Sequence, residues 1–442
     1  MTSIVPDPNK LIMICTSDIA GQVRGKAIPK SALAARREIG VGWTPTNVFI
    51  TSFGPIAPSP WGALGDLILR PDLTTQVDLP AGQHGFSESF VLGDILELDG
   101  QRWACCLRGQ LRHALAQLAT EFGLAVSASF EHEFHYSGVT GQPGLGYSLR
   151  SFRRQGEFGD RLIKALAAAG LEPDTFMPEY GPGQYEVTVK HQPALRAADE
   201  AVILRELTRA TARAMGARAS FSPIRDPDAV GNGVHVHFSL QTLTGDPATY
   251  DPASEHGMAA SAGAFAAGVL KYMPDMLALT ASAVTSYLRL TPHRWSAAFN
   301  NLGKQDREAG LRICPVFDLR PEQIASQYHF EYRAADAAAS PYLVLAALIN
   351  AGLAGLREQL PPPAPTSADL SNWTTTELEQ AGIERLPRSL AQALDRLAAS
   401  SALTDWFGAT FMEAFLRHKR CELELMQSLT PEAQCARYND AY

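Results

Sequence analysis

The stretch SFEHEFHY, Ser129 to Tyr136, sets Glu131 and Glu133 two residues apart inside apolar text. On a β-strand, residues i and i+2 point to the same face, so this spacing puts both carboxylates on one side of a sheet. Three further stretches share the period. GNGVHVHFSL (Gly231 to Leu240) offers His235 and His237, and FEYRAAD (Phe330 to Asp336) offers Glu331 and Arg333. EYGPGQYEVTV (Glu179 to Val189) brings Glu179 and Glu186 together around a Gly-Pro-Gly turn. In one sheet, such strands would collect five carboxylates, two imidazoles and an arginine on one face. A single pair is usually a solvated strand face, because charged side chains are seldom buried. Four pairs in apolar or glycine-rich strand text point to a site.

Carboxylates crowded in this way repel one another, and divalent cations relieve the repulsion. Oxygen and imidazole donors suit Mg²⁺ or Mn²⁺, and a set without thiolates argues against zinc. Two arginine-bearing stretches extend the set. In KQDREAGLRICP (Lys304 to Pro315), Arg307 and Arg312 flank a turn. Isolated arginines are ordinary surface residues, but the planar guanidinium fork suits phosphate, and beside a two-metal acidic site such residues read as clamps on a transferring phosphoryl group. In SYLRLTPHRWSAAF (Ser286 to Phe299), Arg289 and Arg294 bracket a break at Pro292, and Trp295 follows. That indole is either core filling or a surface placed against something the arginines help to bind.

At 442 residues the chain exceeds one ordinary core, so two or more folded units are expected. Hydrophobic residues at 46% and charged residues at 19% exclude a disordered chain. A net charge of −8 leaves no basic footprint for DNA or RNA. The cysteines (Cys15, Cys105, Cys106, Cys314, Cys421, Cys435) are scattered without a CxxC pair, which suggests neither a disulfide framework nor a zinc site and fits a reducing cytoplasm. The start, MTSIVPDPNK, lacks the basic-then-apolar order of a signal peptide. The longest apolar run, LVLAALINAGLAGL (Leu343 to Leu356), is too short to span a bilayer and reads as a buried helix, so no membrane partner is expected.

Residues 1–107 mix short β-like runs (LIMICTSDIAGQVRG, SFVLGDILEL) with Gly/Pro loops and read as a small mixed α/β unit. The text turns helical at GQLRHALAQLATEFGL, where Leu111, Ala114, Leu115 and Leu118 recur at helical spacing. Across residues 108–442, strand-like runs alternate with the Ala-rich helices DRLIKALAAAG, RAADEAVILRELTRATARAMG and SAGAFAAGVLKYMPDMLALTASAVTSYL. That order suggests a large α+β unit with helices packed against a sheet. LPPPAPTSADL (Leu360 to Leu370) reads as a rigid surface loop.

Taken in order, DIAGQVRGKAIP, GDLILRPD, EHEF, EYGPGQYE, GNGVHVHFSL, SYLRL, DREAGLRICP and FEYRAADAAASPYLVLAALINAGLAGL resemble the glutamine synthetase superfamily over nearly the whole chain. The resemblance implies a small N-terminal β-grasp-like domain and a large C-terminal catalytic domain with a curved antiparallel sheet. It also implies a homo-oligomeric ring, commonly a dodecamer of two hexamers, with active sites shared between subunits. The implied chemistry is that of an ATP-dependent ligase: the γ-phosphoryl group of ATP passes to the γ-carboxylate of glutamate, and an amine attacks the acyl phosphate. By motif, Glu133, Glu179 and Glu186 resemble ligands of the metal nearer the acid substrate, and Glu131, His235 and Glu331 those of the metal nearer the nucleotide phosphates. Arg289 and Arg333 resemble the arginines that hold the glutamate carboxylates, and Gly231 the turn over its amino group. Arg307 and Arg312 resemble the ATP phosphate clamps, with His237 and Ser239 near the nucleotide.

The departures from the family bear on the second substrate. Ammonia at neutral pH is mostly protonated, so the family captures and deprotonates it with two carboxylates, one in an N-terminal DGSS-type loop and one on a flap after the arginine matched by Arg289. Here the flap position is Trp295, and the N-terminal region reads NVFITSFGPIAPSPW, with no DGSS. An indole takes up no proton and attracts a cation only weakly, so the expected acceptor is an organic primary amine of apolar or aromatic character. A polyamine or ethanolamine γ-glutamyl ligase, a glutamine synthetase using ammonia, and a catalytically silent relative are the alternatives. The intact ligand set argues against the last. Val230, His329 and Ser340 are further departures, at the glycine turn, at a position often held by a phosphate-contacting arginine, and at a local turn.

Overall fold

The computed structural model describes residues 10–138, 146–317 and 319–442. The N-terminal stretch weighed for a signal peptide lies, but for Lys10, outside the described residues. The chain is α+β and builds two sheets. The first has six strands, in the order Val23–Pro29, Leu11–Ser17, Glu88–Leu96, Leu67–Pro71, Val41–Trp43, with Val77–Leu79 also paired to Glu88–Leu96. Its central pair is parallel, with Met13 opposite Phe90, and its other pairings are antiparallel. Ile12, Ile14, Leu69, Val91 and Leu92, on its strands, are fully buried.

The second sheet has nine strands. Its main path runs Leu302–Lys304, Leu311–Ile313, Phe330–Tyr332, Val234–Thr242, Leu124–Tyr136, Gln184–Val189, Pro173–Pro178. All its pairings are antiparallel except that of Leu302–Lys304 with Leu311–Ile313, so the sheet is mixed at this edge. There the chain leaves through loop 305–310, with Gln305 in the left-handed region at φ 62°, and re-enters in the same direction. Along Leu124–Tyr136 burial alternates: Phe130, His132, Phe134 and Tyr136 are buried, and Ser129, Glu131, Glu133 and His135 are half-buried on the opposite face. Helix Ala194–Ala214 packs against this strand.

Helices Ala260–Thr280 and Pro341–Arg357 pack together so closely that a Cβ on Gly268 would lie 2.1 Å from the Ala351 carbonyl oxygen, and only glycine fits. Pro341–Arg357 is buried almost throughout. Among the described residues, no helix is long and apolar enough to cross a membrane. The helix expected to continue to Leu288 stops at Thr280, where the Asp336 N–H donates to the Thr280 carbonyl (3.2 Å). The chain then turns into the short helix Ser286–Arg289. That break lets Arg289 lie buried beside the sheet instead of continuing along the helix axis.

Helix Leu107–Phe122 begins where the two sheets meet. It is capped by the Cys106 sulfur and ended by Gly123 at φ 64°, a left-handed conformation that glycine adopts freely. Arg108 in its first turn is buried. It donates to Asp199 Oδ1 through Nε (2.9 Å), to Asp94 Oδ2 through Nη1 (3.0 Å) and to Asp72 Oδ2 through Nη2 (2.8 Å). One guanidinium therefore joins carboxylates from both sheet units.

Candidate active site

Strand register assembles the carboxylates. Glu133 lies directly opposite Glu186, and Glu131 opposite His235. One step along, His237 is opposite both Ser129 and Glu331, and Glu331 is opposite Arg312. Directly opposed residues share a face, so five strands deliver these side chains to one surface. Glu179 joins them from the loop just past Pro173–Pro178. The outcome is two groups, Glu133–Glu179–Glu186 and Glu131–His235–Glu331, in each of which one donor atom per residue lies within 4.8 Å of the others.

The two groups differ in charge state. Burial, and then repulsion from Glu179, pushes the Glu133 carboxyl up to about 8. Burial, and then repulsion from Glu131, Glu133 and Glu179, pushes Glu186 up to about 10, and burial also raises Glu179. Three acids facing one another, their repulsion offset only in part by Arg289 and Arg307, are a fitting cradle for a dication with oxygen donors. In the other group burial opposes ionisation of Glu131, but hydrogen bonds from His235 (2.7 Å) and His237 (3.2 Å) outweigh it and hold it well below the usual range. Glu331 is held at about 2, its burial overcome by Arg333, His235 and His237. Burial, then Arg333, lowers His235, which leaves its imidazole neutral and able to coordinate.

Neighbouring residues fix the ligands. Glu133 Oε2 accepts from the Gly233 N–H (2.7 Å) and from Gln184 Nε2 (3.2 Å), and Gln184 also donates to the Gly231 carbonyl (2.9 Å). The Tyr147 hydroxyl donates to Glu179 Oε2 (3.0 Å), as does the Tyr180 N–H (3.1 Å). Neither Gln184 nor Tyr147 stood out in the sequence. Gln184 lies inside a recognised motif, whereas Tyr147 carries no periodic signal.

Both arginines matched to the acid substrate are buried here. Arg289 donates to the Ala335 carbonyl (2.6 Å) and Ser296 Oγ (3.1 Å) and packs its aliphatic stem on Gly231, where a Cβ would lie 2.4 Å from its Cγ. Arg333 pairs with Glu331 and donates to the Trp295 carbonyl (3.2 Å). Among the described residues, the Nε groups of Arg289, Arg312 and Arg333 have no partner, although buried donors are normally paired. Arg312 gives one N–H to Glu331 (2.7 Å). Arg307 is exposed on loop 305–310, close enough to Glu179 to pull its carboxyl downward. His237, Ser239, Glu131, Glu186 and His329 line a cleft of about 700 Å³. A second cleft, of about 760 Å³, lies at Lys10, Arg213 and Tyr442 and contains none of these residues.

Trp295 is not core filling, because its side chain is 63% exposed. Its backbone sits at φ 51° and that of His293 at φ 62°, conformations that L side chains rarely adopt and that cluster at functional sites. Glu308 holds them there: its two carboxylate oxygens accept from the N–H groups of His293 (3.1 Å) and Trp295 (3.0 Å). Arg294 ties the same turn to the carbonyls of Pro227 (3.0 Å) and Ala229 (3.1 Å). Sequence reasoning missed Glu308, which lies inside the quoted arginine stretch. It also missed Cys314, which stands with His237 and His329 in a third group of converging donors.

The family model for the glutamine synthetase catalytic domain matches residues 104–438, and that for the glutamine synthetase N-terminal domain matches residues 4–103. The chain belongs to the glutamine synthetase family. It is a ligase of the glutamine synthetase type, 32% identical over 98% of its length to the γ-glutamylpolyamine synthetase GlnA3 of Streptomyces coelicolor, 93% of which is covered. Among solved structures it resembles a novel glutamine synthase homolog, with 39% identity, 99% of each chain covered and a TM-score of 0.90. It also resembles a GmaS/ADP complex, with 25% identity, 96% of this chain and 95% of that chain covered and a TM-score of 0.81. The glutamine synthetase fold accounts for the two sheets and for the face on which the carboxylates meet.

Proposed function

We propose that this protein is an ATP-dependent ligase that joins the γ-carboxylate of glutamate to an organic primary amine, apolar or aromatic by preference, to give a γ-glutamylamide, ADP and phosphate. The observation that carries this reading is the flap. Where an ammonium-binding carboxylate would serve, the chain presents an exposed indole, and the nearby carboxylate of Glu308 is committed to two backbone N–H groups. At Trp295 itself a protonated ammonia would meet an indole, which supplies neither a full charge nor a base. An arylamine, unprotonated at neutral pH, needs neither. Exposed Tyr147 and Tyr180 beside Glu179, and Val230 beside Gly231, add apolar surface near the same residues.

In this reading Glu133, Glu179 and Glu186 hold one Mg²⁺ or Mn²⁺, and Glu131, His235 and Glu331 hold the other. When bound, these ions neutralise phosphate charge and orient the transferring group. Arg289 and Arg333 anchor the glutamate carboxylates, with the Gly231 turn over its amino group, and the otherwise unpartnered Nε donors of both arginines support this assignment. Arg307 and Arg312 clamp the phosphoryl group, and His237 and Ser239 border the nucleotide in the 700 Å³ cleft. Trp295 covers the amine. The reading extends to ring assembly, in which the N-terminal loop of one subunit completes its neighbour's site. Within its own chain that loop packs on the C-terminal helices, Ser52 donating to Glu422 (2.7 Å), and leaves Ile56 exposed.

A polyamine acceptor is the second reading, favoured by the name of the Streptomyces coelicolor relative. Phosphate release from ATP, with Mg²⁺ and glutamate and with ammonia, alkylamines, arylamines and polyamines compared separately, distinguishes the two. Arylamines or apolar alkylamines are expected to give the highest specificity constants, whereas polyamines in first place would replace the preferred reading with the second.

A further inference from the structure

The group formed by His237, Cys314 and His329 adjoins the Glu131–His235–Glu331 group but converges on a point of its own. Nδ1 of His329 faces the Gln327 carbonyl at 2.6 Å, and a carbonyl only accepts, so that nitrogen carries the proton and Nε2 presents a lone pair. Nε2 of His237 faces Glu131 Oε2 at 3.2 Å and donates to this carboxylate, which turns Nδ1 toward His329. Nδ1 of His237 and Nε2 of His329 face each other across 3.0 Å, with the Cys314 sulfur 3.8 Å from His237 Nδ1. A proton on His237 or a metal ion between the rings would each satisfy this nitrogen pair, and the metal ion would take the sulfur as well. The Cys314 N–H donates to the His329 carbonyl (3.1 Å), and His237 lies on the neighbouring strand, so backbone pairing holds all three donors in place.

We propose that His237, Cys314 and His329 form a third metal site, distinct from the two carboxylate sites, that takes a thiophilic divalent cation of the zinc type. Tetrahedral zinc with Zn–N near 2.0 Å and Zn–S near 2.3 Å requires donor separations of about 3.4 Å between nitrogens and about 3.6 Å between nitrogen and sulfur, close to those present. The Glu131–His237 pair has the carboxylate–histidine arrangement that orients metal-ligating imidazoles, and the Gln327 carbonyl serves His329 in the same way. The Cys314 sulfur also lies 3.7 Å from Glu331 Oε2, a contact made by the thiol proton. Metal binding replaces that S–H bond with a metal–thiolate bond and releases the proton to solvent. His237 and His329 line the 700 Å³ cleft, so the fourth position opens toward it and takes water or an anionic oxygen.

Titration with Co²⁺ in excess Mg²⁺, which keeps the carboxylate sites filled, tests the site. The intact protein is expected to take up one equivalent with a near-ultraviolet thiolate-to-cobalt charge-transfer band, and Cys314→Ser to lose that band. His329→Gln is expected to bind at least roughly tenfold more weakly, the loss that even an outer-shell partner causes. Absence of the band from the intact protein, its persistence in Cys314→Ser, or unchanged affinity in His329→Gln would each overturn the proposal.

Discussion

Filling the carboxylate cradle with a dication at pH 7 should expel about two protons per chain. Glu133 is pushed up to about 8 and Glu186 to about 10. At pH 7 the first therefore carries roughly nine-tenths of a proton and the second nearly a whole one, and both must leave for a metal to bind. The Glu131–His235–Glu331 group adds none, because its two carboxylates are held low and its imidazole is already neutral. The sign follows: raised carboxyls bind metal better as pH rises, so the apparent affinity should strengthen roughly a hundredfold per pH unit below about 7 and level off above Glu186. Calorimetric titration of Mn²⁺ into metal-free protein, repeated in buffers of different ionisation enthalpy, counts the protons. Glu186→Gln should reduce the count to about one. An enthalpy independent of buffer would mean that the three acids do not face one another as described.

Trp295→Ala removes an exposed side chain, so the melting temperature should hold steady, the change in stability staying within about 0.5 kcal/mol. The specificity constant for an arylamine should nevertheless fall roughly tenfold, the value of one lost aromatic contact, with the KM for ATP unchanged. Gly231→Ala places a methyl 2.4 Å from Arg289 Cγ; steady-state kinetics should show kcat/KM for glutamate down roughly a hundredfold, as for a displaced positioning group. Arg108→Ala leaves Asp72, Asp94 and Asp199 facing one another without their shared cation, and thermal melting should show a loss of about 3–5 kcal/mol.

The sheet face was legible because period-two spacing survives in the text: Glu131 with Glu133, His235 with His237 and Glu331 with Arg333 do share faces, and register then sets Glu133 against Glu186. The α+β class and the buried helix at Leu343–Leu356 followed from the same kind of pattern. Other features depended on long-range contacts that no local pattern encodes. The helix end at Thr280 depends on Asp336, and the parallel edge on how loop 305–310 re-enters the sheet. Glu308 reads as one acid among arginines until the strained flap backbone is seen to rest on it. Cys314 and His329 lie fifteen residues apart without a ligand spacing, and only strand pairing sets them beside His237. Trp295 could be read either way, and its exposure decided against the core.

The account turns on which nucleophile the flap admits. The most direct test offers ammonia and an arylamine together, at equal concentration, to the protein with ATP, Mg²⁺ and glutamate, and identifies the amide by mass spectrometry. The γ-glutamyl arylamide should dominate in the intact protein and glutamine should gain in Trp295→Glu. Glutamine as the main product of the intact protein would contradict the account.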